Sequence, residues 1–135
     1  MPDSRAVAER ACIADLNVMS MSRVLIQRMF EAIDRREFDR LSLFYTPDIV
    51  YARPGYERVC GFEALVDFYK QVRVVDAGVH DLAHIVSNGD EAACWGHLAG
   101  HSYEGVRLDE HFADVYELSE GRISSRKTHF FRAAI

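Results

Sequence analysis

The sequence predicts an α+β domain, with N-terminal helices packed on one face of a strongly curved, mainly antiparallel sheet. Three observations carry this. Apolar residues recur at helical spacing in the first half. Strand-like runs fill the second half. Glycine-bearing turns separate those runs, supplying the positive φ that hairpins need. At 135 residues the chain is most simply one domain, long enough to bury a core without disulfide or metal staples.

Residues 1–20 are weakly patterned and read as an extension, a short helix or disorder. The domain proper is assigned to 21–135. Ser22 to Arg36 reads as an amphipathic helix, with Leu25, Ile26, Met29, Phe30 and Ile33 on one stripe and Ser22 as N-cap. A second short helix over Phe38–Phe44 ends at Thr46-Pro47-Asp48, because proline disfavours helix in the residue before it. Ile49–Arg53 is a strand closed by Pro54-Gly55, and Gly61 to Val72 a third helix. Four strands follow, Val79–Ser87, Glu91–Tyr103, Arg107–Leu118 and Arg122–Ala133. A curved sheet under helices leaves a cone between them.

Composition excludes several classes. A formal net charge of −5 argues against nucleic acid as a partner. Cys12, Cys60 and Cys94 are odd in number and form no C-x-x-C pair, which fits a reducing cytoplasm and no zinc knuckle. No apolar run reaches the ~18 residues of a membrane span, and the acidic and basic residues of the first twenty positions are unlike a signal peptide.

Turn lengths give a register for the strands. If Glu104-Gly105 is a two-residue turn, Trp95 opposes Asp114 and His97 opposes Phe112. If Ser119-Glu120-Gly121 is a three-residue loop, Asp114 opposes Arg126 and Phe112 opposes Thr128. Opposed residues share a face, so this register gathers Asp114, His97 and Arg126 among Trp95, Phe112, Tyr116 and Phe130. An acid, a base and a cation on an aromatic face read as the floor of a ligand pocket. His101 lies on the same face, as pocket residue or core histidine. The opposite face, with Cys94, Gly96, Leu98, Val115 and Lys127, is left to solvent or to a dimer contact.

Asp114 is the leading acid/base candidate, weighed against a purely structural Asp114–Arg126 pair. His97 and His101 stand ~13 Å apart on a strand, too far to share one ion, so no metal is expected; the Gly-rich phosphate fingerprints are absent, and no cofactor is expected. Arg53, beside Tyr51 and Tyr56, suits an anionic or enolic oxygen, or else is a solvated loop cation. Arg73 and His80 are expected to be solvent-exposed. Tyr45, Tyr56, Phe68 and Tyr69 are core aromatics or walls of the cone.

Several runs then resemble one family. They are Phe30-Glu31-Ala32-Ile33-Asp34, Leu43 through Tyr51, Gly61-Phe62-Glu63-Ala64-Leu65, Phe112-Ala113-Asp114-Val115-Tyr116 and Gly121-Arg122-Ile123. Together they resemble the SnoaL-like branch of the NTF2-like superfamily, over about Met21 to Phe131. The resemblance implies a cone-shaped α+β barrel, commonly a homodimer through the outer sheet face. It places Asp114 where ketosteroid isomerases keep an oxyanion-hole aspartate and SnoaL-type cyclases an acid/base. The isomerase's general base falls on Arg53 and its oxyanion tyrosine on Met29. Thr128 stands where epoxide hydrolases of this fold have their last aspartate, so neither of those two reactions carries over intact.

The resulting expectation is a cytoplasmic, cofactor-independent cyclase- or isomerase-type enzyme acting by proton transfer on a hydrophobic polyketide-like or natural-product intermediate. Asp114, His97 and Arg126 would carry the chemistry. Arg53, Tyr51, Tyr56, Phe68, Tyr69, Trp95, His101, Phe112, Tyr116, Thr128 and Phe130 would hold the ligand. The alternatives are a non-catalytic binder of a hydrophobic molecule and a dimeric interaction module.

Overall fold

The computed structural model describes residues 21–133; the expectation for residues 1–20 lies outside them. Residues 21–34 are helical (α1) and bury Ile26, Met29, Phe30 and Ile33. Arg36 ends α1 with a left-handed φ of 59°. Its N–H donates to Ile33 O and that of Glu37 to Ala32 O, the paired bonds of a Schellman turn. Glycine usually takes that position. Here the Arg36 guanidinium donates to Asp76 O and the Tyr103 hydroxyl, each at 2.7 Å, so the strained residue ties the helix end to two strand regions.

A 3₁₀ turn (Phe38–Leu43) leads into β1 (Tyr45–Ala52), then β2 (Val59–Cys60) and α2 (Phe62–Asp67), which loosens into a π turn at Phe68–Val72. The sheet continues with β3 (Val75–Asn88), β4 (Glu91–Ser102), β5 (Arg107–Ser119) and β6 (Arg122–Phe130). Strand order is β2-β1-β6-β5-β4-β3, open and strongly curved. All pairs are antiparallel except β1 with β6. The β1 register slips between Tyr45 and Val50, where Pro47 has no N–H to donate to a ladder.

The strands differ from expectation at three ends and by the unexpected β2: β6 stops at Phe130 rather than Ala133, and two strands start early. β1 starts at Tyr45 rather than Ile49, and β3 at Val75 rather than Val79. Asp76 and Gly78 are poor strand formers, and pairing with β4 overrides them. β4 has no Cβ at two places for a reason: one added at Gly96 would lie 2.2 Å from Asp81 O, and one at Gly100 2.0 Å from Ala77 O.

Both hairpins differ from the turns assumed above. The β4–β5 loop is Tyr103, Glu104 and Gly105, closed by Ser102 N–H donating to Val106 O and Gly105 N–H donating to Ser102 O, each at 2.9 Å. Gly105 takes φ 80°. The added residue moves the pairing by one, so Asp114 opposes Cys94, Phe112 opposes Gly96 and His111 opposes His97. The β5–β6 turn is Glu120-Gly121, both at positive φ, followed by a bulge at Glu117/Leu118. Asp114 therefore opposes Thr128 and Tyr116 opposes Arg126, an even shift that keeps the face.

Candidate functional site

Placement follows from that register. Phe112, Asp114 and Tyr116 on β5, and Arg126 and Thr128 on β6, are buried on the inner face with Cys94 and Leu98 of β4. Trp95, His97 and His101 stand on the outer face instead, a correction forced by the three-residue loop. Trp95 is 42% exposed and lies 5.0 Å from the His84 ring. His97 Nε2 contacts Asp109 Oδ1, and its ring is 4.8 Å from that of His111. His101 faces Asp76.

The centre of the inner face is a buried ion pair. Arg126 donates through Nε to Asp114 Oδ2 at 2.9 Å, with Nη2 also 2.9 Å from the same oxygen. Tyr116 donates to that oxygen at 2.8 Å. Asp114 Oδ1 is buried without a hydrogen-bond partner. Arg126 Nη1 donates to the hydroxyls of Tyr69 (2.8 Å) and Tyr45 (3.0 Å). Its guanidinium lies 4.6 Å from the Tyr51 ring centre and 5.1 Å from that of Phe30, within cation–π range. Burial alone would lower Arg126, but Asp114 and the three phenols hold it well above its usual range, so it stays charged.

The phenols divide. Burial raises Tyr45, Tyr69 and Tyr116. Burial acts on Tyr51 in the same sense, but Arg126 and Arg53 together outweigh it and its phenol is more acidic than usual. Tyr51 Oη shares a 2.9 Å hydrogen bond with Thr128 Oγ1 and accepts one at 3.2 Å from Arg53 Nη1. Burial, then Asp114, pushes the Cys94 thiol up to about 12, so it is inert.

Arg53 is 7% exposed, its guanidinium 5.0 Å from the Phe130 ring centre and 5.7 Å from that of Phe68. Tyr56 packs edge-on against Phe68, with centroids 5.3 Å apart. A cavity of about 360 Å³ opens here, lined by Arg53, Tyr56, Arg58, Lys127, Thr128 and His129 among others. Two of its lining residues, Arg53 and Thr128, hold the Tyr51 hydroxyl. A larger hollow of about 550 Å³ lies on the outer face, between Val86, Ala93, Val115 and Lys127.

Arg73 and His80 were expected in solvent and are buried instead. Arg73 stacks 5.3 Å from the Tyr69 ring centre. His80 Nδ1 is 2.5 Å from Asp34 Oδ1, and its ring contacts Phe30 and Phe112. Their partners come from α1 and the π turn, which local sequence does not announce. Tyr51 and Arg53 are two apart at the end of β1, and that spacing was the available signal that they work together.

A family model described as a SnoaL-like domain matches residues 26–126. Among solved structures the chain is similar to an NTF2-like protein of unknown function from Burkholderia pseudomallei, with TM-score 0.76 and 18% identity, over 83% of this chain and 92% of that one. It is also similar to a protein assigned as a SnoaL-like polyketide cyclase from Jannaschia sp., with TM-score 0.75 and 13% identity, over 84% and 88%. TerC co-crystallised with polyporic acid gives TM-score 0.74 and 15% identity, over 82% and 91%. No match to a curated protein sequence was found. At such identities these likenesses establish the fold. No helix among the described residues is long and apolar enough to cross a membrane.

Proposed function

The chain belongs to the SnoaL-like domain family, and from that premise we propose that it is a cofactor-free enzyme of isomerase or cyclase type that moves a proton on a small hydrophobic ligand. One observation carries the reading. The Tyr51 phenol, more acidic than usual, is buried just behind the cavity lining, hydrogen-bonded to its residues Arg53 and Thr128, with the Arg126 guanidinium over its ring.

In this reading Tyr51 exchanges the proton, since its hydroxyl is hydrogen-bonded to two lining residues, whereas the side chains of Asp114 and His97 bond to Arg126 and Tyr116 and to Asp109 instead. Two guanidiniums favour its phenolate against the effect of burial, the direction that proton transfer beside a carbonyl requires. Arg53 steadies the enolate that forms. Asp114 is a positioning residue: it fixes Arg126 through Oδ2 and limits how far the cation acidifies Tyr51. Tyr56 and Pro54 supply the apolar part of the wall, and Phe68 and Phe130 pack behind it against Tyr56 and Arg53. A neighbour of this fold was co-crystallised with polyporic acid, which supports a ligand of small-molecule size. The same cavity without turnover would make the chain a binding protein. We further propose that the outer face meets a second copy, because Val79, Val86, Trp95 and Val115 stand exposed on it.

The test is hydrogen–deuterium exchange at the enolisable position of 2-tetralone in D₂O, followed by NMR. The wild type accelerates exchange, and Tyr51→Phe loses roughly a hundredfold or more, the ordinary size of a general acid–base contribution. Unchanged exchange in Tyr51→Phe would remove the phenol from the chemistry. Binding of 2-tetralone without exchange would favour the binding-protein reading.

A further inference from the structure

The outer face of the sheet carries side chains that the proton transfer does not use. His97 of β4 opposes His111 of β5, with ring centroids 4.8 Å apart. Asp109 lies two residues before His111 on β5, so both point off the same face. Its Oδ1 contacts His97 Nε2. One nitrogen of each imidazole and one carboxylate oxygen come within 4.8 Å of one another. Among the described residues this is the one such set of three. Spacing along β4 pairs His97 with His101, and those two are too far apart to share an ion. The second imidazole comes instead across the ladder, from the neighbouring strand.

The backbone beneath these side chains is fixed. The β4–β5 register runs without a slip from Glu91 to His101. On its other side β4 is pressed against β3 at Gly96 and Gly100, where an added Cβ would meet Asp81 O and Ala77 O. Sites built on strands are held more precisely than sites on loops. Ala99, opposite Asp109, is too small to stand between Asp109 and His97. Zinc-type bonds of about 2.0–2.1 Å set tetrahedral donors roughly 3.3 Å apart. Asp109 and His111 are exposed and His97 half-buried, so χ rotations that reach this spacing are open to them. Two imidazoles and one carboxylate suit zinc and its transition-metal neighbours. Calcium and magnesium need more oxygens than one carboxylate supplies. His101 and Asp76, 3.5 Å apart, offer only two donors and make no such set.

We propose that His97, Asp109 and His111 form a site for one zinc-class divalent ion, bound through two imidazole nitrogens and one carboxylate oxygen. Three protein donors leave the fourth tetrahedral position to water, off the sheet. Asp109 offsets part of the ion's charge. The ion joins side chains of two strands and so clips β4 to β5. It stands on the opposite face of the sheet from the buried Tyr51 and takes no part in the proton transfer proposed above. The two proposals therefore stand or fall separately.

The probe is zinc chloride, titrated by calorimetry into the untagged full chain at neutral pH, where ligand imidazoles are largely unprotonated. The expected result is one zinc per chain, not displaced by excess magnesium. His97→Ala and His111→Ala should each weaken zinc by at least about a hundredfold, the upper end of what losing an outer-shell partner costs. Asp109→Asn, which keeps a neutral oxygen, should weaken it roughly tenfold. His101→Ala and Cys60→Ser should leave binding unchanged. Zinc should also raise the urea midpoint of the wild type and not that of His97→Ala/His111→Ala, whose cooperative unfolding without zinc certifies its fold. Val115→Glu, whose charge keeps the outer faces of two copies apart, should bind zinc as the wild type does, because one chain holds all three donors. Absence of zinc binding, displacement by magnesium, or undiminished binding in His97→Ala/His111→Ala would overturn the proposal. So would loss of binding in His101→Ala, Cys60→Ser or Val115→Glu.

Discussion

Replacing Asp114 by asparagine keeps its shape and removes its charge. The structure sets the cost. Oδ2 accepts from Arg126 Nε at 2.9 Å and from the Tyr116 hydroxyl at 2.8 Å, with Arg126 Nη2 equally near. Arg126 is 3% exposed, and the phenols it donates to, Tyr45 and Tyr69, are held protonated by burial, which leaves the more acidic Tyr51 as the one neighbour able to offset part of the charge. Removing one partner of such a pair costs about 3–5 kcal/mol. Asparagine retains one acceptor, so the lower end applies, a fall in Tm of roughly 10 °C for a domain of this size. Removing both charges in Asp114→Leu/Arg126→Met avoids the stranded cation, at the cost of unpaired phenol hydroxyls. The double variant should therefore be more stable than the sum of its single changes predicts, by at least ~2 kcal/mol. Urea unfolding followed by circular dichroism reads all five proteins: the wild type, Asp114→Asn, Asp114→Leu, Arg126→Met and the double variant. A loss below ~1 kcal/mol for Asp114→Asn, or strict additivity in the cycle, would refute the claim that this pair is dry and tightly coupled.

Four further outcomes follow from the same geometry. In ultraviolet titration one phenol should ionise below the usual range and vanish in Tyr51→Phe, while Tyr45 and Tyr116 stay protonated far into alkali. Burial lowers His80 below its ordinary 6.5. Above that pH both folded and unfolded forms are neutral, and below it the unfolded chain takes the proton first. Stability should thus fall on acidification by up to ~1.4 kcal/mol per pH unit, and His80→Asn should flatten that slope in urea midpoints measured across the range. Gly100→Ala puts a methyl against Ala77 O and should lower the urea midpoint by more than an ordinary glycine-to-alanine change, which an unaltered midpoint would contradict. Light scattering should report a dimer for the wild type and a monomer for Val115→Glu, whose side chain lies on the outer face.

Much of the architecture was legible because its signals are local. Leu25, Ile26, Met29, Phe30 and Ile33 announce α1 by spacing alone, and the glycines of the turns separate the strands. Half of the inner face was legible too: Asp114, Arg126, Tyr116 and Thr128 do share it, because an error of two residues in register preserves a face. His97, Trp95 and His101 were misplaced because an error of one residue does not. Whether the β4–β5 loop holds two residues or three depends on Tyr103 N–H bonding to Val74 O and on Arg36 reaching Tyr103, contacts from distant segments. The burial of Arg73 and His80 was hidden for the same reason: Tyr69 and Asp34 meet them only in three dimensions.

The parallel seam between β1 and β6 has a kinetic consequence. The first long strand of the sheet must wait for the last, since its only other neighbour is the two-residue β2. Until β6 leaves the ribosome, Tyr45 and Tyr51 have no guanidinium to surround and Asp114 has no cation to hold. Closure of this seam over a long stretch of chain is expected to be slow. Chains truncated before β6 keep the local β3–β4–β5 pairing but leave β1 without its long neighbour and the charged centre unassembled, because formation of the β1–β6 pair and of that centre are one event.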